Sequence, residues 1–554
     1  MKQYRRLVIG IVACLVIAVV GYFWASGLIA SIIAYRSPLR LTPPAPGPSI
    51  GTPITRRVVI VLIDALRVDT SINNATMPFL NELRNQGVSA TVHSRPPSYS
   101  EPGYTTILTG AWPDINDGPT INEEYADIPV FTQDDIFSAA HRVGLHTAIS
   151  GYYWFEKLVP QKAVDAGFYT PGEDAAADQE VMKAALPMLS GDYQLVLIHI
   201  DQVDYAGHYQ DGPLSPNWDA AAKRADADLR DIVAELDLNQ DTVIVISDHG
   251  QIDRGGHGGP EPVTLLEPFV MAGAGVQNGI YPAIQQVDLA PTIAALLGTN
   301  LPASSEGSVQ TRMLKMSAEE VAKIQAAEAV QKRILYQAYT TAIKSQSTLK
   351  PNPTDPLSYI IAMNEARADR LTRERIWRNL PAIFLSILPA CLLVIRREKK
   401  VLWLAGGALL YILLFNFRYS ILDGRTYSLS SVESQTWLIT YTATTASISL
   451  VIGWLVVMLR LHAFERSSRE AAETSLNLVF FTLYLLALPI LVSFAVNGIL
   501  VTWTLPEFYT TFLAFLSLTQ SIFVAATGLL LAGVAALIAH FIPKPARRLT
   551  RSRR

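Results

Sequence analysis

Apolar residues in this chain are gathered into membrane-length blocks near its two ends, and that distribution limits the fold more than any motif does. Leu7 to Ala34 is almost uninterrupted hydrocarbon and follows Lys2, Arg5 and Arg6. At about 1.5 Å per helical residue, such a stretch exceeds the roughly 30 Å of a bilayer core. It is also longer than the apolar region of a cleaved signal peptide, so residues 1–36 read as a basic tip and an uncleaved signal anchor. Five further spans fit the last third, at about 377–395, 401–418, 436–459, 476–500 and 509–542, within a membrane region of 376–543.

Basic segments then set the expected sidedness. MKQYRR, RREKK (396–400), RLHAFERSSR (460–469) and the tail KPARRLTRSRR (544–554) all fall on one side of a six-span layout. The positive-inside rule makes that side cytoplasmic. Both termini are therefore expected in the cytoplasm, with the segment between the first two spans outside it. Ionisable residues sit near span ends rather than at mid-depth, so the bundle reads as an anchor or a lipid-facing platform and not as a transport path.

The middle of the chain has the texture of a water-soluble domain. A Pro-rich stretch, SPLRLTPPAPGPSIGTP (37–53), reads as a stiff linker over 37–55. Three runs, VVIVLI (58–63), LVLIHI (195–200) and VIVIS (243–247), are apolar without two-residue alternation, as in strands covered on both faces of a parallel sheet. Helix-like segments at 77–87, 134–144 and 218–236 separate them. Alternating strand and helix gives an α/β fold with a largely parallel central sheet over 56–312. A helical connector, 313–375, follows, opening on a capping-box pattern at Ser317 and Glu320.

Each of the three strands runs into metal-ligating chemistry. The first ends at Asp64, the second at DQVDYAGH with Asp204 and His208, and the third at DHGQIDRGGHGG with Asp248, His249 and His257. Ligands bind beyond the carboxyl ends of strands in open parallel sheets, so three clusters distant in sequence converge on one edge. Carboxylates and imidazoles without thiolates suit zinc, and manganese less well. Cys14 and Cys391, the two cysteines, lie in apolar stretches, which excludes a disulfide framework and a thiolate metal site. The net charge of −3 argues against a nucleic-acid polymer as partner. A hydroxyl nucleophile would sit in RPPSYSEPGYTTILTG (95–110), at the start of a helix near Pro102. Spacing alone leaves Ser98, Ser100 and Thr105 open.

Four blocks, VVIVLIDALR, SEPGYTTILTG, DQVDYAGH and SDHGQIDRGGHGG, in this order make the chain resemble the alkaline phosphatase superfamily, in its type I phosphodiesterase/nucleotide pyrophosphatase branch. The resemblance covers about 57–300. It implies an alkaline-phosphatase-like domain with two divalent metal ions, normally zinc. Asp64, Ser100, Asp248 and His249 would hold one, and Asp204, His208 and His257 the other. Ser100 would be the nucleophile, two residues before Pro102, and Asn122 would hold a phosphate oxygen. His199 and Asp201 fall outside the motifs and read as structural. Gly103-Tyr104 stand where the pyrophosphatases carry Asn-His, which weakens nucleotide specificity. The implied activity is hydrolysis of an extracytoplasmic phosphodiester or pyrophosphate through a phosphoseryl intermediate. The membrane layout is similar instead to the ethanolamine-phosphate transferases of glycolipid-anchor assembly, which implies the alternative of head-group transfer from a phospholipid to a glycan or glycolipid.

Overall fold

The structure, a computed structural model, describes residues 4–396 and 399–542, with the side chains of 392–396 left aside. Lys2, Arg397 and the basic tail 544–554, which entered the sidedness reading, lie outside the described residues.

The soluble domain is built on a nine-stranded sheet: β1 (Arg57–Ile63), β2 (Val88–His93), β3 (Thr147–Tyr152), β4 (Ala166–Thr170), β5 (Leu195–Ile200), β6 (Asp241–Ile246), β7 (Leu266–Gly273), β8 (Gly279–Ile280) and β9 (Ile284–Gln285). Their order is β4-β3-β5-β1-β6-β7-β2-β8, with β9 on β2. The half from β4 to β6 is parallel, while β7 runs antiparallel to both β6 and β2. The missing alternation in VVIVLI has a direct cause. Val58, Ile60 and Leu62 enter the core on one face with Ile107, Leu108 and Leu296. Val59, Val61 and Ile63 enter the core on the other, with Trp218 and Leu229. Each side chain is fully covered, and each contributes roughly 1.5–3 kcal/mol of burial.

The Pro-rich stretch is irregular, but it does not stand free as a spacer. Ser37 bonds Asp117 and the Ile115 carbonyl, Leu39 is buried, and the Ile50 and Ile54 amides donate to Thr299 and Leu296. Prolines keep it out of helix and sheet ladders while the Ser37, Ile50 and Ile54 amides find partners on the domain.

Ser317 and Glu320 form the capping box of helix Ala318–Ala342. The connector then continues without a break into the expected span 377–395, because Pro356–Arg396 is one helix of 41 residues. Arg367 on it pairs with Asp114 of the soluble domain. Among the described residues, five helices are long and apolar enough to cross a membrane: Arg5–Ile33, Lys399–Leu422, Gln435–Arg460, Ser468–Asn497 and Phe508–Phe541. The anchor helix Arg5–Ile33 joins the bundle, with Cys14 buried in its core. The soluble domain is also met by the end of the anchor, where Thr120 Oγ bonds the Ile32 carbonyl, by the 423–434 loop, and by the 498–507 loop, where Trp503 packs on the cluster that holds Ala111 and Ile115.

Candidate active site

The sheet brings the three clusters together because β1 lies between β5 and β6 and all three run parallel. Asp64 follows β1 directly, its amide still bonded to the Ile200 carbonyl. Helix Gln202–Tyr209 follows β5 and sets Asp204 and His208 one turn apart. Asp248 and His249 follow β6. The hydroxyl donor comes from helix Ser100–Thr109, which begins two residues earlier than the sequence reading placed it. Tyr99 is its extended N-cap, and Pro102 is accommodated in the first turn, where its missing N–H costs nothing. Of the three hydroxyls left open by spacing, Ser100 is the one against the cluster. Ser98 instead ties its hydroxyl to Gly259, and Thr105 to its own helix.

Two adjoining candidate ligand sets result. In the first, His249 Nε2 lies 3.1 Å from Ser100 Oγ, 3.3 Å from Asp248 Oδ2 and 3.6 Å from Asp64 Oδ1. All four residues are buried. In the second, His257 Nε2 is 2.9 Å from His208 Nε2 and 3.8 Å from Asp204 Oδ1, and His208 Nε2 is 3.5 Å from Asp204 Oδ2. Here Asp204 is half-buried and His208 exposed. The sets touch, since the rings of His249 and His257 stack with centroids 3.9 Å apart. Asn122 Nδ2 donates to Ser100 Oγ at 3.4 Å, and its Oδ1 accepts from the Glu101 amide at 3.1 Å. All eight residues singled out in the sequence thus meet in one place.

These residues fit divalent cations. Asp64 Oδ1 and Asp248 Oδ2 are buried without a hydrogen-bond partner, a costly state for carboxylate oxygens that no cation compensates. His249 Nδ1 lies 3.2 Å from the Gly250 carbonyl and His257 Nδ1 3.0 Å from the Ser98 carbonyl. A carbonyl accepts only, so each Nδ1 is the protonated nitrogen and each Nε2 keeps a lone pair facing the carboxylates. Burial takes His249 down to about 3 and His257 well below its ordinary value, so both rings are neutral and able to offer a lone pair. Burial also pushes Asp248 well above the usual carboxylate range, with Asp64 and Asp204 adding to it, and raises Asp204 as well. A bound divalent charge reverses that preference and holds such carboxylates ionised.

Sequence reasoning missed the supports around this cluster. Tyr104 and His199 are both bonded to Asp64 Oδ2, the His199 Nε2 contact being 3.0 Å, and to each other at 2.9 Å. They occupy one carboxylate oxygen and leave Oδ1 for the ligand set. His199 also belongs to a third Asp64–His199–Asp201 group whose ligand atoms lie within 4.8 Å of one another; with Nε2 already shared between Tyr104 and Asp64, it orients the carboxylate. Gly103 has its own reason, since a Cβ there would sit 2.9 Å from Asp248 Cβ. The Gly-Tyr pair that departs from the pyrophosphatase motif therefore brings helix Ser100–Thr109 against Asp248 and delivers a hydroxyl to Asp64. A lone imidazole inside the otherwise apolar run LVLIHI could have flagged His199; nothing local tied Tyr104 to Asp64.

The family described as type I phosphodiesterase / nucleotide pyrophosphatase matches residues 58–117 and 130–342. Among curated proteins, GPI ethanolamine phosphate transferase 2, catalytic subunit, of Homo sapiens is 27% identical over 297 residues, covering 48% of this chain and 30% of that protein. GPI ethanolamine phosphate transferase 2 of Yarrowia lipolytica is 26% identical over 296 residues, covering 48% and 34%. This chain thus spans about a third of the length of these relatives. Among solved structures, human ectonucleotide pyrophosphatase / phosphodiesterase 5 aligns with a TM-score of 0.35 at 15% identity, over 44% of this chain and 95% of that one.

Proposed function

We propose, for a chain that belongs through residues 58–117 and 130–342 to the type I phosphodiesterase / nucleotide pyrophosphatase family, that it transfers a phospho-alcohol head group, phosphoethanolamine first, from a phospholipid to a hydroxyl of a glycan or glycolipid. The two readings of the sequence thereby change places, with hydrolysis second. One observation carries the lipid donor. A groove of about 620 Å³ has Asn122 in its lining together with Ile33 and Ala34 at the end of the anchor helix and Arg36 and Arg40 just after it. The residue that touches the nucleophile therefore shares a groove with the point where the chain leaves the membrane, which suits a substrate whose tail stays in the bilayer. The transferase names of the curated relatives agree, over the third of their length that this chain spans.

In this mechanism Ser100 Oγ attacks phosphorus, the Oγ–P bond forms, and the bond to the glycerol oxygen breaks, releasing diacylglycerol. The acceptor hydroxyl then attacks the seryl phosphodiester and regenerates Ser100. Asn122 Nδ2 and the positive end of the dipole of helix Ser100–Thr109 stabilise the phosphoryl oxygens. Paired divalent ions, zinc by the thiolate-free ligand set, would lower the pKa of the Ser100 hydroxyl and offset charge on the entering and leaving oxygens. Asp64, Asp248 and His249 would hold one with Ser100, and Asp204, His208 and His257 the other. The basic clusters support a cell-membrane protein with cytoplasmic termini and the catalytic domain outside.

The test is a reconstitution in liposomes with head-group-labelled phosphatidylethanolamine. Label moving onto an added glycolipid, and lost in Ser100→Ala, is the expected result. Free phosphoethanolamine released at the same rate with or without acceptor would instead make the protein a hydrolase.

A further inference from the structure

Four hydroxyl- and carboxylate-bearing residues join the membrane bundle to the loop that carries His257. Glu261 Oε1 accepts hydrogen bonds from Thr426 Oγ at 2.7 Å and from Ser428 Oγ, and Oε2 accepts one from Ser430 Oγ at 2.7 Å. Ser430 Oγ also accepts from the Gly259 amide at 2.9 Å. Contact is close enough to require glycine, because a Cβ on Gly256, whose φ is +114°, would lie 2.6 Å from the Ser430 carbonyl oxygen. On its other flank the loop is tied to the segment leading into Ser100. Ser98 Oγ accepts from the Gly258 amide and donates to the Gly259 carbonyl, both at 3.0 Å, and His257 Nδ1 bonds the Ser98 carbonyl.

The bundle side of this joint is stiff before the catalytic domain touches it. Arg425 stacks 3.9 Å above the Trp437 ring, and its guanidinium donates to the Ser431 carbonyl at 2.9 Å and to Glu433 at 2.7 Å. The Thr426 amide donates to Ser431 Oγ, Tyr419 donates to the Thr426 carbonyl, and Tyr441 donates to Asp423. A loop at the end of a membrane helix could satisfy its polar groups with water. This one instead folds on itself and turns three hydroxyls towards one carboxylate of the catalytic domain.

We infer that the 425–431 loop of the membrane bundle is part of the active site, with Glu261 as the positioning residue through which it holds His257 at the second ligand set. This rests on the reading of His257 as a metal ligand. It gives the bundle a task beyond the anchoring or platform role its sequence suggested: it fixes one ligand of the more open half of the site. Groups that orient metal ligands typically change metal affinity by about 10–100-fold when removed, and the effect here falls on one ion of two. Glu261 touches neither substrate nor ion, so its removal leaves the first ligand set intact.

The experiment is zinc binding by full-length protein in detergent, measured by calorimetry and by retained metal after dialysis. Wild type, Glu261→Ala, Ser430→Ala, the double variant and Glu261→Gln are compared, with thermal melting of each. Expected are two zinc ions in wild type, and in both single variants a first ion of wild-type affinity with a second weakened about 10–100-fold. The double variant is no weaker than the worse single one, because both break one joint. Glu261→Gln, which keeps one acceptor oxygen, falls between. Wild-type affinity for both ions in Glu261→Ala, or equal weakening of both alongside a lowered melting temperature, overturns the inference while leaving the metal reading in place. A wild-type protein that binds no zinc or manganese overturns both.

Discussion

The two ligand sets lie ring against ring, yet they are made from different kinds of backbone. The first draws Asp64, Asp248 and His249 from the ends of central strands and Ser100 from a helix packed on Asp248; every member is buried. The second draws Asp204 and His208 from a short helix and His257 from a Gly-rich loop, is partly open to solvent, and has its loop held by a loop of the membrane bundle. Burial of the sheet core, with Tyr104 and His199 bonded to Asp64, fixes the first set from within the catalytic domain. The second depends on a contact between regions about 170 residues apart in sequence. On the proposed reading, such a site has a buried half that holds Ser100 and a half whose geometry answers to the bundle loop.

Variants in the two halves should separate accordingly. The largest effect belongs to His249→Ala, which touches the nucleophile and removes a ligand of the buried set. Turnover should fall by three to four decades, about 4–5 kcal/mol of transition-state stabilisation, with one ion missing by metal analysis; activity within tenfold of wild type would break the assignment of the buried half. His208→Ala should cost about two decades, roughly 2.7 kcal/mol. Excess zinc should restore part of that loss, because the open half still offers Asp204 and His257. A loss as deep as that of His249→Ala, with no recovery on added zinc, would erase the distinction between the halves. Tyr104→Phe removes the hydroxyl on Asp64 and should weaken the first ion about tenfold while leaving the second unchanged by calorimetry.

The smallest effect, away from both sets, lies at Glu267 on β7. It is fully buried, with one oxygen bonded to Ser94 Oγ at 2.6 Å and the other without a partner. Burial raises its carboxyl well above the ordinary range. The fold therefore holds a proton that the unfolded chain releases near pH 4.3. By linkage, this residue's contribution to stability is fully present below about pH 4.3 and is lost as pH rises towards the folded value. Glu267→Gln should melt higher than wild type at pH 8 by about 2–4 °C, with the gap closing near pH 4 and metal content unchanged. A constant gap at both pH values would remove the protonated carboxyl from the account.

Much of the buried half was legible in the sequence, for a physical reason. Strands covered on both faces must be continuous in Val, Ile and Leu, so VVIVLI and VIVIS mark themselves, with Asp64, Asp248 and His249 just beyond them; LVLIHI marks in the same way the strand ahead of Asp204 and His208 in the open half. Membrane helices are legible for the same reason, since a bilayer demands length and hydrocarbon together. The edge of the sheet was not. β7 and β2 carry Pro, Glu, Ser and Thr among their apolar residues, and their antiparallel pairing depends on partners far away in sequence. Tyr104 and Glu261 were invisible as well, because each acts through a contact with a distant segment and neither sits at a spacing that periodicity can reveal. The split of connector and membrane span at residue 375 dissolved into one helix, since charged turns and apolar turns propagate the same backbone ladder.

The account stands most directly on the covalent step. Full-length protein in liposomes, given phosphatidylethanolamine without acceptor and quenched with acid, is digested and the Ser100 peptide weighed. The prediction is a phosphoethanolamine adduct on Ser100 that forms with release of diacylglycerol, disappears when a glycolipid acceptor is added, and is absent from Ser100→Ala. Undiminished diacylglycerol release by Ser100→Ala, or an adduct on another residue, would contradict it.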